Sequence, residues 1–426
     1  MKSDIFSWKR GGLAIFCFLF FFIAHAQNGW SPKSIDTLSY AHFDADTLSF
    51  SLDTSNLVAF FQKFEKVATT RQGNINILHL GGSHVQAGSM SHRIRRNILL
   101  ADPEIIARRG MIFPYSAAAK CNNPADYKVS KTAPFALTRN VYKNIDRPLG
   151  VTGIAVSTAD SLSEIKITMN DSQLTFTTER IVLLGFSDSN KVIPMVVVDT
   201  VSYLPVETDT VLRRYVFDNI PAVTDSFKIR IVGKDSAVFT LTGILLDNDT
   251  QGITFHSLGV NGASVSSYLK CAYFESDMDL IRPDLVIFGI GINDAAASPF
   301  DTLEFERNYL KLIDKIKRVN PDCSFIFITN NDSYKKVSRK KYSVNTNGLL
   351  ARRVFYRLAQ ETGGAVWDQF DIMGGLRSMD KWRMDKLAQT DRVHFTVKGY
   401  QLLGDLFYNA FLDAWSKSQT VYSTLN

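Results

Sequence analysis

Cysteine is scarce in this chain of 426 residues, which carries four. Cys17 lies in an apolar run near the start, and Cys121, Cys271 and Cys323 form an odd set with no C-x-x-C spacing. That excludes a disulfide framework and a cysteine zinc site, and it leaves at most one bridge. A surplus of one charge is also missing. Forty-eight Lys and Arg against 42 Asp and Glu give +6, too mild for a nucleic-acid binder. There is no apolar run long enough to cross a bilayer, since Leu13 to Ile23 falls short of the roughly 20 residues required. Nor is there a repeat architecture: Asp36-Thr37-Leu38-Ser39-Tyr40 echoes once, at Asp46-Thr47-Leu48-Ser49-Phe50. With 45% hydrophobic and 21% charged residues, disorder and collagen-like structure are excluded as well.

What is present begins with an export signal. Lys9-Arg10, the run Leu13 to Ile23 and Ala24-His25-Ala26 supply a basic start, a short greasy centre and an A-x-A exit. Residues 1–26 are therefore expected to be a cleaved signal peptide, which lowers the net charge to +4 and leaves an exported chain, periplasmic or extracellular, with no stable membrane insertion. Residues 27–53, rich in Ser, Asp and Thr, read as an exposed lead-in.

From Ser55 the periodicity is that of an α/β layer. Leu57, Phe60, Phe61, Phe64, Val67 and Ala68 recur at helical spacing behind Thr54 or Ser55, then a strand runs from Asn74 to Leu80, a Gly81-Gly82-Ser83 turn follows, and Ser89 to Leu100 is helical. Across residues 122–250 the period becomes two: Ile165, Ile167 and Met169 alternate with Lys166, Thr168 and Asn170, Phe227, Ile229 and Ile231 with Lys228 and Arg230, and Phe239, Leu241 and Leu245 continue the pattern. This reads as an antiparallel β-sandwich. The α/β pattern then resumes and ends in an amphipathic helix behind Thr396. The expected architecture is one α/β domain, residues 54–121 and 251–426, split by an inserted β module at 122–250.

The chemistry-bearing residues cluster at turns after strands. Ser83 holds a hydroxyl at the carboxyl edge of a sheet, where open α/β folds place their sites, but alone it is a poor nucleophile. Asp391-Arg392-Val393-His394 supplies a base, because that spacing lets the carboxylate fix one imidazole nitrogen and leave the other to take a proton. Asn293, in Gly289-Ile290-Gly291-Ile292-Asn293-Asp294, offers an amide donor to an oxyanion, or else an Asx turn. Gly262, in Gly259-Val260-Asn261-Gly262-Ala263, offers an unshielded backbone N–H. His79, His84 and His92 do not share a helical face and are read as structural. Lys335-Lys336 and Arg339-Lys340-Lys341, beside Tyr334 and Tyr342, form a basic run that is either a solvated face or a contact for an anionic glycan. Trp367, Trp382 and Tyr334 are candidates for stacking on a sugar, with Trp367 better placed in the core.

Taken in order, Gly-x-Ser, a glycine turn, Gly-x-Asn-Asp and Asp-x-x-His resemble the SGNH hydrolases, also called the GDSL family, over roughly residues 55–121 and 252–415. The resemblance implies a three-layer α/β/α fold with a parallel sheet. It also implies Ser83 as nucleophile, His394 as general base, Asp391 as its orienting partner, and an oxyanion hole made by the N–H of Ser83, the N–H of Gly262 and the amide of Asn293. No cofactor or metal is implied. In the first block Gly82 stands where the family usually has an Asp, which is not a triad member but ties the site loops together.

Ile77 to Gly88, Arg109 to Tyr115, Trp367-Asp368 and Gly374 to Trp382 further resemble secreted SGNH esterases that remove O-acetyl groups from peptidoglycan and carry a carbohydrate-binding β-sandwich after the first block. The resemblance implies an acetylated glycan polymer as partner. Alternatives at this point are an O-acetyltransferase, an acetylesterase for another polysaccharide, and a non-catalytic glycan-binding protein.

Overall fold

The computed structural model describes residues 29–50, 55–118, 121–170, 176–189, 192–223, 225–233, 237–339 and 341–425; the expected signal peptide, its cleavage site and the possible cap Thr54 lie outside the described residues. Seven strands form the main sheet, in the order Leu48–Ser49, Ala365–Trp367, Ser324–Ile328, Leu285–Gly289, Asn74–Gly81, Gly252–Gly259 and Ile106–Arg108. All pair in parallel except Leu48–Ser49, which is antiparallel to Ala365–Trp367. Alternate strand residues serve opposite faces, as a doubly covered sheet requires. Leu285, Ile287, Ile75 and Ile77 pack toward the helices Asn56–Thr70, Ser89–Ala101 and Val397–Leu425. Val286, Phe288, Leu78 and Leu80 pack toward Phe274–Ile281, Thr302–Val319 and Asn347–Thr362.

Local chemistry starts these helices. The Ser55 hydroxyl accepts from the Leu57 N–H at 3.1 Å, and the carboxylate of Asp301 accepts from Leu303 and Glu304, both at 2.9 Å, so orphan donors of each first turn are satisfied. Among the described residues no helix is long and apolar enough to cross a membrane.

Residues 27–53 were expected to be exposed, and the described part differs. Trp30 is buried, with its ring edge-on to Phe64 and Trp415, and Leu48 is buried in the edge strand of the main sheet. Asn409 exchanges two hydrogen bonds with the backbone of Lys33, and the indole of Trp367 donates to Asp46 at 2.9 Å. The polar composition hid this strap, because a single buried tryptophan is worth on the order of 4 kcal/mol of apolar burial and outweighs many exposed serines.

The inserted module is two antiparallel sheets. One has the order Val201–Tyr203, Val192–Val198, Ser226–Gly233, Ser163–Met169, Tyr127–Lys131; the other runs Glu207–Asp209, Arg214–Phe217, Arg180–Ser187, Phe239–Asp247, Ile154–Thr158, Ala136–Arg139. Ile165, Ile167, Phe227, Ile229 and Ile231 point into the sandwich while Lys166 stays exposed. Phe239–Asp247 departs from simple alternation. Strands on both sides and the module's interior bury Thr240 and Thr242 as well, with the Thr240 hydroxyl paired to that of Ser157 at 2.9 Å.

The module is less separate than a boundary at residue 122 implies. Gly110–Ile112, just past the last strand of the main sheet, already pairs with Phe239–Asp247, and one continuous apolar cluster runs from Leu78 and Phe288 through Met111 and Phe113 to Ile229. Asp126, at the module's entry, is buried against Arg109 at 2.7 Å and Arg95 at 3.3 Å. Cys121, Cys271 and Cys323 are buried free thiols.

Candidate active site

Three strand ends meet in register at glycine. Gly81 pairs with Gly259 on one side and with Gly289 on the other, at the point where the chain order along the sheet reverses. A β-carbon at Gly81 would lie 2.3 Å from Val85 and 2.4 Å from the Gly289 carbonyl; one at Gly259 would lie 2.4 Å from the Gln86 nitrogen. Bare backbone at this edge lets the loops that follow converge on one spot.

Ser83 opens the short helix Ser83–Gln86 directly after the central strand. Its Oγ lies 2.7 Å from Nε2 of His394, and Nδ1 of His394 lies 2.7 Å from Oδ2 of Asp391. The other oxygen of Asp391 accepts from the N–H groups of Val393 at 2.9 Å and His394 at 3.0 Å, and Arg392 takes a left-handed φ of 60° to close the turn. This is how a three-residue spacing brings carboxylate and imidazole together. Burial acts to raise the Asp391 pKa, but the imidazole and the two backbone donors overcome it and hold the carboxyl at about 2, so it stays ionised at working pH.

The expected oxyanion donors converge on the same edge. Among the described residues, no protein acceptor takes the N–H of Ser83 or of Gly262. Gly262 adopts φ 82°, which glycine reaches without strain. The amide of Asn293 donates to the Ala263 carbonyl at 2.9 Å, spanning the two loops, while both oxygens of Asp294 accept from the Val265 N–H at 3.2 Å. A serine that passes its proton to His394 as it attacks, with these three groups around it, can add to an acyl carbonyl and have the developing charge held there.

Gly82 leaves no gap in this arrangement. A β-carbon there would stand 3.5 Å from the Ala263 carbonyl and 3.6 Å from the Asn293 amide, which is ordinary contact. The loops are tied by other groups: Tyr268 donates to the Gly81 carbonyl at 2.8 Å, Tyr115 to that of Gly259 at 2.9 Å, and Gln86 accepts from the Asn261 N–H at 2.6 Å. Arg139, from the inserted module, donates to the Asn261 carbonyl. Sequence reasoning did not find Tyr268, Gln86 or Arg139. Gln86 carried a faint signal, three residues beyond Ser83 on the same short helix, whereas nothing local marks Arg139.

His79 is a core residue hydrogen-bonded to Ser91 at 2.8 Å, with burial pushing its pKa down to about 3, and His92 lies on the following helix. His84 is different, since its ring centroid is 5.1 Å from that of His394. Trp367 and Trp382 are fully buried, their indoles donating to Asp46 and to the Met373 carbonyl, so neither is available to stack on a sugar. Tyr334 is half-buried beneath the guanidinium of Arg392.

Residues 240–402 match the GDSL-like Lipase/Acylhydrolase family, a span that contains Gly262, Asn293, Asp391 and His394 and leaves Ser83 before it. Over that span the chain is similar to the GDSL-like acylhydrolases, and it is a carboxylic ester hydrolase. No curated protein matches the sequence. Among solved structures, the chain is similar to "Peptidoglycan O-acetylesterase in action, 5 min", with TM-score 0.70 and 20% identity over 86% of this chain and 99% of that one. This likeness shows the fold, and its extent includes the inserted module. The chain is also similar to the acetyl xylan esterase AlAXEase, at TM-score 0.30 and 20% identity over 37% of this chain and 81% of that one. A lipase/acylhydrolase from Enterococcus faecalis gives TM-score 0.30 and 21% identity over 38% and 78%.

Proposed function

We propose, with the GDSL-like acylhydrolase domain as premise, that this chain is an exported serine esterase removing O-acetyl groups from a cell-wall glycan, peptidoglycan in particular. The observation that carries the reading is the hydrogen-bonded chain from Ser83 Oγ through His394 to Asp391, in a molecule whose whole layout, insert included, is similar to a peptidoglycan O-acetylesterase.

His394 takes the proton of Ser83 as its oxygen attacks the acetyl carbonyl. The carbonyl π bond becomes the oxyanion, held by the N–H of Ser83, the N–H of Gly262 and the amide of Asn293. Collapse breaks the bond to the sugar oxygen, which leaves with the proton from His394, and a water activated by the same imidazole then releases acetate from the acyl-serine. Asp391, ionised throughout, fixes the tautomer and faces the imidazolium that forms twice per cycle. The module at residues 122–250 contributes to holding the polymer, and residues 1–26 direct export and are removed after Ala26.

The test is acetate release from O-acetylated peptidoglycan against acetylated xylan, with the exported protein's N-terminus sequenced in parallel. Turnover of the peptidoglycan above the xylan, lost in Ser83→Ala, and a chain beginning at Gln27 are expected. Preference for xylan, or release unaffected by Ser83→Ala, would overturn the reading.

A further inference from the structure

The hairpin of Tyr334–Lys336 and Tyr342–Val344 stands on the rim of the site and is held to both of its sides. On the base side, Tyr334 N–H donates to the Arg392 carbonyl at 3.1 Å, one residue from Asp391. The Arg392 guanidinium lies over the rings of Tyr342 at 4.4 Å and Tyr334 at 5.4 Å, and it pairs with Asp380 at 2.7 Å. On the oxyanion side, Lys335 donates to the Ala297 carbonyl at 3.3 Å, while Asn345 and Asn347, just past the hairpin, donate to that of Ala295, two residues beyond Asn293.

The hairpin is thus fixed at the site by its base, and its tip extends outward from the rim. That tip carries Lys336, Arg339 and Lys341, all exposed, and among the described residues none of the three has a carboxylate partner. Asp380, the acid at its base, is engaged by Arg392 and Arg383. Cations placed without protein counter-charges beside a cleft raise the local concentration of an anionic substrate and orient it. A solvated surface run would need no such double anchoring.

We propose that this hairpin is a subsite for carboxylates of the acetylated polymer, so that the enzyme selects a polyanionic glycan strand over a neutral one. The proposal deepens the function given above and rests on it for the identity of the polymer. Remote charge contacts of this kind act on capture and orientation and leave the acyl-transfer step itself unchanged.

The test uses the full chain in the triple variant Lys336→Ala, Arg339→Ala, Lys341→Ala. Its hydrolysis of 4-nitrophenyl acetate is expected to stay within about twofold of wild type, while kcat/KM on O-acetylated peptidoglycan at low salt falls about tenfold or more, through KM, and loses much of its salt dependence. In a separate arm, the Ser83→Ala protein is sedimented with insoluble peptidoglycan whose carboxylates are free or amidated. Binding is expected to fall on amidation and to be equally weak for both polymers once the triple substitution is added. Equal binding to free and amidated polymer, or triple-variant binding equal to that of its parent, would overturn the subsite. A wild-type enzyme that binds in this charge-dependent way yet releases no acetate from peptidoglycan would sink the substrate assignment and leave the subsite standing.

Discussion

His84 lies face-tilted against His394, ring centroids 5.1 Å apart at 36°, and its Nδ1 is 2.8 Å from the hydroxyl of Tyr400. Burial, reinforced by the neighbouring imidazole, pushes its pKa down to about 3, so His84 stays neutral beside His394, which the proposed mechanism takes through its charged form. A neutral ring can support an imidazolium at this distance, whereas a second cation would oppose it. His84→Leu is expected to lower kcat roughly ten- to a hundredfold with KM little changed, because a small misplacement of the base is enough. Tyr400→Phe, which removes only the hydroxyl, should give a smaller loss of the same kind. Steady-state kinetics on a soluble acetyl ester decide it: an effect confined to KM would refute the positioning role.

For the triad and the oxyanion donors the expected losses are larger. Ser83→Ala and His394→Ala should each cost on the order of a thousandfold or more in kcat. Asn293→Ala should cost on the order of a hundredfold, the scale of one lost oxyanion donor. Folded spectra accompanied by full activity in any of the three would remove that residue from the mechanism.

The two adjacent glycines of the first block should respond in opposite ways. Gly82→Ala puts a methyl group into ordinary contact distance at a backbone φ of −95°, and both activity and melting temperature should stay near wild type. Gly81→Ala drives a methyl group to 2.4 Å from the Gly289 carbonyl, backbone that cannot swing aside, and should destabilise by about 1 to 3 kcal/mol, the scale of overpacking. Thermal melts of the pair would settle it, and a Gly82→Ala variant as damaged as Gly81→Ala would mean that residue 82 must be bare for chemistry.

This contrast also marks what the sequence could disclose. The Asp391 to His394 turn is local, a carboxylate accepting from N–H groups two and three residues ahead, so spacing alone carries it. The same is true of the strand endings at Gly81 and Gly289, where apolar runs stop at glycine. Tyr268 on Gly81 and Arg139 on Asn261 join residues more than a hundred positions apart, and no period or motif encodes such a pairing. The strap at Trp30 was hidden for a related reason: its partners Phe64 and Trp415 come from opposite ends of the domain.

Asp126 should be the joint whose loss loosens the insert from the hydrolase sheet. Burial alone would raise its pKa, but Arg109 and then Arg95 more than offset this and hold it below the usual carboxylate range. Its stabilisation is therefore present above the unfolded aspartate pKa and is lost as pH falls through the depressed folded value. Asp126→Ala leaves two buried guanidinium groups short of a partner and is expected to cost about 3 to 5 kcal/mol at neutral pH. Urea unfolding of both proteins at pH 7 and at pH 3 provides the check, since the difference between them should shrink at the lower pH.

Asp294 should show the opposite sign. Burial raises its pKa from 3.8 to about 6, with the Val265 N–H opposing and Glu304 adding to the rise. The folded state thus binds this proton more tightly than the unfolded chain, and the contribution to stability falls as pH rises from about 4 to about 6. At pH 7 the ionised carboxylate is a net cost that the fold tolerates because the charged acceptor grips the loop carrying Gly262 and Ala263. Asp294→Asn keeps an oxygen for Val265 but never ionises. It should melt higher than wild type at pH 7, with the gap closing toward pH 4, and it should turn over more slowly, about three- to tenfold, as the oxyanion loop is held by a weaker hydrogen bond. Melting curves across that pH window, alongside kcat on a small acetyl ester, measure both halves; a stability difference that does not change with pH would show that Asp294 is not the group titrating there.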